Sequence, residues 1–237
     1  MKVEKTERLC EKIYKTVFSG DVSGIEKPGQ FVNVAIDGLF LRRPISVCDA
    51  KANALTIVYK VVGKGTKKLS EAKPGDAFDI LTGLGNGYDL SLSGEKPLLI
   101  GGGVGIPPLF YLAKKLLQQG TRPSVALGFN RKEESFFVRE FEALGLSVAV
   151  ATADGSLGQK GFVTSVLPQD ASYFYACGPE PMLKAVCLAL GTEGELSFEE
   201  RMGCGFGACM GCTCKTLFGN KRICKDGPVL KKGEIVW

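Results

Sequence analysis

Four of the nine cysteines in this chain fall within eleven residues, "CGFGACMGCTC" at 204–214, and the sequence contains no histidine. A stretch so rich in thiols and glycine is too small and too polar to build a packed core, so something other than packing has to hold it. The spacing narrows what that is. Four residues separate Cys204 from Cys209, two separate Cys209 from Cys212, and Cys224 follows at a distance. This is the plant-type [2Fe–2S] pattern, in which thiolates converge on a compact inorganic core. Small residues are needed around such a core so that backbone N–H groups can approach the sulfides, and Gly203, Gly205, Gly207, Ala208 and Gly211 supply them. Zinc also accepts four thiolates, but its sites usually show paired C-x-x-C knuckles, and Cys209/Cys212 is the one such pair here. Cys214 lies two positions from Cys212, so both would bind only through a strained chain reversal. Cys224 can arrive from a separate strand and is the expected fourth ligand. Cys10, Cys48, Cys177 and Cys187 sit in apolar contexts and read as core thiols.

The odd cysteine count argues against a disulfide framework, and the charged start "MKVEKTERLC" lacks the apolar core of an export signal. The expectation is a reducing, cytoplasmic setting with free or metal-bound thiols. No run approaches the ~18 apolar residues of a membrane span. The net charge of +5 is mild and spread among acids, which predicts neither a nucleic-acid nor a membrane partner. Without histidine there is no Ser–His or Cys–His nucleophile pair, so chemistry here has to rest on bound cofactors.

Three grammars follow one another along the 237 residues. Residues 1–94 read as short β-branched and aromatic strands ("CEKIYKTVFSG", "GQFVNVAID", "RRPISVCDA", "ALTIVYKVVG", "GDAFDILTGLG") separated by turn residues, with one helix at "GTKKLSEAK"; this predicts an antiparallel β-barrel. Residues 95–192 alternate strand and helix, from "KPLLIGGG" and "PPLFYLAKKLLQQG" to "SYFYACG" and "PEPMLKAVCLALG", which predicts a parallel α/β domain. A short helix is expected at "GFVTSVLPQ". Residues 193–237 form the cysteine-bearing tail.

Two further stretches carry chemistry. In "RRPIS", Arg43 offers a planar fork to a phosphate, Pro44 stiffens the turn and Ser46 can hydrogen-bond a ring edge. "GKGTKKLS" places Gly63, Gly65 and Thr66 ahead of a helix, where backbone N–H groups can hold a pyrophosphate. Taken singly, each is equally an ordinary turn. "LLIGGGVGIPP" is stronger, because a buried strand runs into the glycine turn Gly102, Gly103, Gly105 and then a helix, as at dinucleotide sites. It departs from G-x-G-x-x-G, with Ile106 and Pro108 where a third glycine would stand. "ACGPEPML" is a second strand-end turn, with Gly178 and Pro179 exposing backbone above the sheet.

In this order, "RPIS", "VYKVVGKGT", "GGGVGIPPL", "CGPEPML" and a C-terminal cysteine cluster resemble the ferredoxin–NAD(P) reductase superfamily. Within it, "LRRPIS", "ATADGS", "GFVT", "ERMGCGFGACMGC" and "CKDGPV" are similar to the electron-transfer subunits of type B dihydroorotate dehydrogenases, over about residues 8–230. The resemblance implies an FAD-binding β-barrel, a nicotinamide-binding α/β domain and a small [2Fe–2S] domain. It assigns FAD to Arg43, Pro44, Ile45, Ser46, Val58, Tyr59, Lys60, Gly65 and Thr66, and the cluster to Cys204, Cys209, Cys212 and Cys224. It further implies a relay from an FMN-containing catalytic subunit through the cluster and FAD to NAD in pyrimidine biosynthesis, in a heterotetramer of two of each chain. The alternative within the superfamily is an NAD(P)H-dependent reductase serving a ferredoxin, hydrogenase or sulfur-metabolising partner. The resemblance points to NAD, whereas "FNRKEE" after the second α/β strand has neutral Asn130 and a cationic Arg131 that suits a 2′-phosphate.

Overall fold

Short β-branched and aromatic runs build the first sheet. In the computed structural model, which describes residues 1–237, six strands form it: β1 (Lys2–Cys10), β2 (Ile13–Ser19), β3 (Phe31–Val34), β4 (Arg43–Lys51), β5 (Ala54–Lys60) and β6 (Ile80–Leu84). They lie in the order β1-β2-β5-β4-β3-β6, every neighbouring pair antiparallel. The central strands β2, β4 and β5 bury alternate side chains, while β3 is buried throughout. The segment leading into β6 is tied to the start of β1: Val3 N–H donates to the Asp76 carbonyl and Phe78 N–H to the Met1 carbonyl, each at 2.8 Å. Helix α1 (Lys64–Ser70) follows β5 and sends Leu69 into the core of Phe18, Val32, Val34, Ile45, Val47, Leu55 and Ile57. Strand β1 escaped the sequence reading because "KVEKTER" is mostly charged. It forms nonetheless, because Val3 is buried and the remaining residues pair with β2 as a hairpin.

The second sheet runs β10-β9-β8-β7-β11-β12-β15. Six of its strands are parallel: β7 (Pro97–Gly102), β8 (Ser124–Phe129), β9 (Val148–Thr152), β10 (Gln159–Lys160), β11 (Tyr173–Cys177) and β12 (Gly194–Ser197). Strands β7 and β11 are buried along their whole length, which accounts for their unbroken apolar runs. The crossover elements include α2 (Ile106–Gln118), α3 (Val138–Ala143) and α4 (Glu180–Ala189). The helix expected at "GFVTSVLPQ" is a single 3₁₀ turn, Val163–Val166.

The sheet is not purely parallel, and it does not end at residue 192. Strand β12 extends it, and β15 (Val229–Lys231) closes that edge antiparallel to β12. Four-residue β12 hides its role in sequence, because its buried Glu195 breaks the apolar run. Between β12 and β15 the tail makes one hairpin, β13 (Thr213–Thr216) and β14 (Gly219–Arg222). No helix is long and apolar enough to cross a membrane.

Candidate redox site

The four cysteines arrive from one loop and one hairpin exit and form two pairs. In the first, Cys204 N–H donates to the Cys209 Sγ at 3.4 Å, and the N–H groups of Ala208 and Cys209 donate back to the Cys204 Sγ at 3.2 and 3.4 Å. In the second, Cys224 N–H donates to the buried Cys212 Sγ at 3.4 Å. Two thiol pairs with backbone N–H groups aimed at sulfur are the donor chemistry an iron–sulfur cluster requires.

The thiols differ in how the protein treats a negative charge. Desolvation opposes a thiolate at Cys204, yet backbone donors from Cys209, Phe206 and Ala208 outweigh it and hold the pKa below the ordinary thiol range. Burial, reinforced by neighbouring Cys212, pushes Cys224 up. Cys214 lies on β13 opposite Lys221, half-buried against the Cys212 and Cys224 cluster, its thiol raised by burial and by Glu200.

Two residues that sequence reasoning missed hold this loop. Arg222 grips the Asp226 carboxylate through Nε and Nη2, at 3.0 and 3.2 Å, while its Nη1 donates to the Gly207 carbonyl at 3.0 Å. The i,i+4 charge pair in "RICKD" was the available signal. Asn33 of β3 donates from Nδ2 to the Cys204 carbonyl at 3.1 Å, a contact across 171 positions that no local pattern announces.

The proposed flavin residues flank a split in the first sheet. The β4–β5 ladder runs from Lys51/Ala54 to Val47/Ile57 and stops. Beyond it, Arg43–Ser46 pairs with β3 while Val58–Lys60 pairs with β2, so facing backbone groups of the two stretches are left without each other as partners. Opposite the start of β4, the Arg43 guanidinium lies over Gly65, where any Cβ would overlap it. Not every residue of the set presents its side chain. Ile45 and Tyr59 turn into the core, and the Tyr59 hydroxyl pairs with Thr16 at 3.1 Å. Thr66 is spent on its own turn, its Oγ1 accepting from Val62 and Gly63 N–H at 3.0 and 3.3 Å. Pro44 and Ser46 are half-buried and Lys60 is exposed.

The turns expected to hold nicotinamide meet at the carboxyl end of the second sheet, where the chain leaves β7 for β8 on one side and returns to β11 on the other, the switch point at which open α/β sheets bind ligands. A Cβ on Gly105 would overlap the Cys177 carbonyl, and one on Gly102 or Gly178 would collide with Met182. These glycines let the two turns touch, and Gly103, at φ +52° with open space beside it, carries the reversal. A cleft of about 310 Å³ opens from Gly178 and Pro179 along α4 to Phe198, Glu199, Glu200 and Arg201, the segment entering the cysteine loop. Gly102, Gly103 and Gly105 do not line it.

The three groups adjoin. Val58 shares a core with Ile106 and Cys177, so the split in the first sheet abuts the nicotinamide turns. Phe31 of β3 packs with Cys212 and Cys224, so the cysteine loop rests on the other flank of the same sheet.

Comparisons with known proteins agree with this arrangement. Residues 199–236 match the model of the iron–sulfur cluster binding domain of dihydroorotate dehydrogenase B. The electron transfer subunit of dihydroorotate dehydrogenase B (NAD(+)) from Geobacillus sp. (strain WCH70) is 45% identical over 251 residues, covering 100% of this chain and 97% of that protein. Its counterpart from Fusobacterium nucleatum is 43% identical, covering 98% and 96%. Among solved structures, an NADH-dependent reduced ferredoxin-NADP oxidoreductase superposes with a TM-score of 0.89 at 31% identity, over 100% of this chain and 89% of that one. A ferredoxin NADP+ reductase from Neisseria gonorrhoeae, at 18% identity and a TM-score of 0.68, covers 79% of this chain and 88% of its own, and shares the fold. With its thiol pairs, its split sheet and its full-length relatives, the chain belongs to the family of dihydroorotate dehydrogenase B (NAD(+)) electron transfer subunits.

Proposed function

We propose that this chain relays electrons from an FMN-containing dihydroorotate dehydrogenase catalytic subunit to NAD+ through a [2Fe–2S] cluster and FAD, in a heterotetramer of two of each chain. The bound groups supply the chemistry: the cluster carries single electrons, and FAD exchanges two of them for a hydride. The protein's part is to bind, space and orient. The thiol pairs Cys204/Cys209 and Cys212/Cys224 are the ligand set, and the N–H groups around them favour negative charge on sulfur. Arg43 and the open backbone edges at 44–46 and 58–60 hold FAD on the closed first sheet, which serves as the flavin barrel. Gly102, Gly103, Gly105, Gly178 and Pro179 bring nicotinamide alongside. The observation that carries the reading is the juxtaposition of thiol pairs, split sheet and glycine turns in one chain. Exposed Phe206 and Met210 on the cysteine loop are the surface proposed to meet the catalytic subunit.

The test is coexpression with an FMN-bearing catalytic chain. Alone, this chain is expected to reduce artificial dyes with NADH and to leave dihydroorotate untouched. The copurified pair should reduce NAD+ with dihydroorotate. A pair that neither associates nor couples the two reactions favours the second reading, a ferredoxin-linked reductase, for which the 31% identity to the reduced ferredoxin-NADP oxidoreductase speaks.

The choice of NAD over NADP rests on Arg131. Its Nε donates to Glu134 at 3.0 Å and its Nη2 to Glu11 of the β1–β2 turn at 3.2 Å, while Asn130 Nδ2 donates to the other Glu134 oxygen at 2.9 Å. An arginine engaged by two carboxylates is a poor receptor for a 2′-phosphate, and Glu134 repels one. Glu134→Gln is therefore expected to raise the NADPH-to-NADH ratio of kcat/KM in dye reduction. The gain should reach at most about fivefold, since an exposed ion pair is worth up to ~1 kcal/mol. An unchanged ratio removes Glu134 from cofactor choice.

A further inference from the structure

We infer that Asn33 is a positioning residue for electron transfer, fastening the cysteine loop to the strand that carries the flavin-binding segment. The inference rests on the cofactor reading above and adds to it the residue that sets the spacing between the two groups. All four residues of β3 are buried, and they divide by alternation. Val32 and Val34 face the core of the first sheet. Phe31 packs with Cys212 and Cys224, and Asn33 donates to the Cys204 carbonyl at 3.1 Å, so one face of this strand meets both thiol pairs. The same two residues stand directly opposite the flavin segment: Phe31 is paired with Ser46, and Asn33 with Pro44. A single strand thus has the cysteine loop on one side and the "RPIS" backbone beside it.

Asn33 is not there for packing. It is 1% exposed, and its Oδ1 is buried with no hydrogen-bond partner. A half-satisfied buried amide is less favourable than an apolar side chain of similar size, so packing does not account for Asn33 and the bond to Cys204 does. The loop is shaped to receive that amide. Gly205 holds φ at +82°, and a Cβ there would overlap the Asn33 Nδ2. On the far side, the Asn33 carbonyl accepts from Arg42 Nη1 at 3.4 Å, and Arg42 is ion-paired with Asp79 beside β6. The amide therefore projects from a braced backbone.

The test is anaerobic stopped-flow reduction of the FAD- and cluster-loaded protein by NADH. In the first phase NADH gives a hydride to the flavin and becomes NAD+. In the second, one electron of that pair passes to the oxidised cluster. Asn33→Leu keeps the side-chain volume and removes the donor. The expected result is an unchanged first phase, a second phase slowed by about tenfold, and a shifted electron paramagnetic resonance spectrum of the reduced cluster. Asn33→Ser, too short to span to Cys204, should behave alike. An unchanged second phase and spectrum in both variants overturns the inference. Loss of the cluster from both also overturns it and leaves Asn33 a folding residue. Failure of NADH to reduce the flavin in the parent protein would count against the cofactor reading instead.

Discussion

Cys224→Ser is expected to lose the [2Fe–2S] signal, whereas Cys214→Ser retains it. Both thiols pack near Cys212, and their contacts differ. Cys224 is buried, its N–H donates to the Cys212 Sγ, and it packs with Cys212, Phe31 and Leu230. Cys214 lies on the β13 ladder opposite Lys221. Serine at 224 replaces a soft thiolate by a harder, shorter ligand in a site that the fold has shaped around sulfur. Because the tail is small, losing one ligand also weakens whatever the cluster contributes to its folding. Iron and sulfide per chain should fall by about tenfold or more in Cys224→Ser and stay near parental in Cys214→Ser, with visible absorbance following. The reverse pattern would transfer the fourth ligand to Cys214.

Arg43→Ala should weaken FAD binding by about one to two orders of magnitude. A hydrogen bond to a charged group is worth ~1.5–3 kcal/mol, and each ~1.4 kcal/mol is tenfold in affinity. Arg43 is preorganised for this contact. Its Nη1 donates to the Leu41 and Arg42 carbonyls, and the guanidinium lies over the bare backbone of Gly65. Gly65→Val separates the loss of charge from the loss of position, because its side chain displaces the guanidinium and leaves the charge in place. Both variants should show the weakened affinity when FAD is titrated into deflavinated protein and followed by flavin fluorescence. Parental affinity in Arg43→Ala would remove that residue from the flavin site.

Much of the arrangement was legible along the chain because it is local. The spacing of Cys204, Cys209 and Cys212 is a property of eleven consecutive residues. The strand–glycine–helix run at 97–118 reads the same way in sequence and in structure, because β7 is buried end to end and α2 starts at the turn. Strands β2–β6 were readable for the same reason, as short β-branched and aromatic runs bounded by turn residues.

What the chain order could not convey depends on contacts between distant segments. Strand β1 is too charged to signal itself and exists because β2 and the 75–78 segment supply hydrogen-bonding partners. Strands β12 and β15 are short; β12 joins the second sheet at the open edge of β11, and β15 joins at the edge that β12 then offers. That the Thr66 hydroxyl is engaged within its own turn is likewise visible only in the structure. The separation of β4 from β5 at Val47/Ile57 comes from each strand choosing a different neighbour, which neither sequence encodes alone. Local sequence dictates which cofactor each segment is chemically fit to hold. The spacing between those segments is a matter of long-range contacts, among them the one between Asn33 and Cys204, which joins residues 171 positions apart.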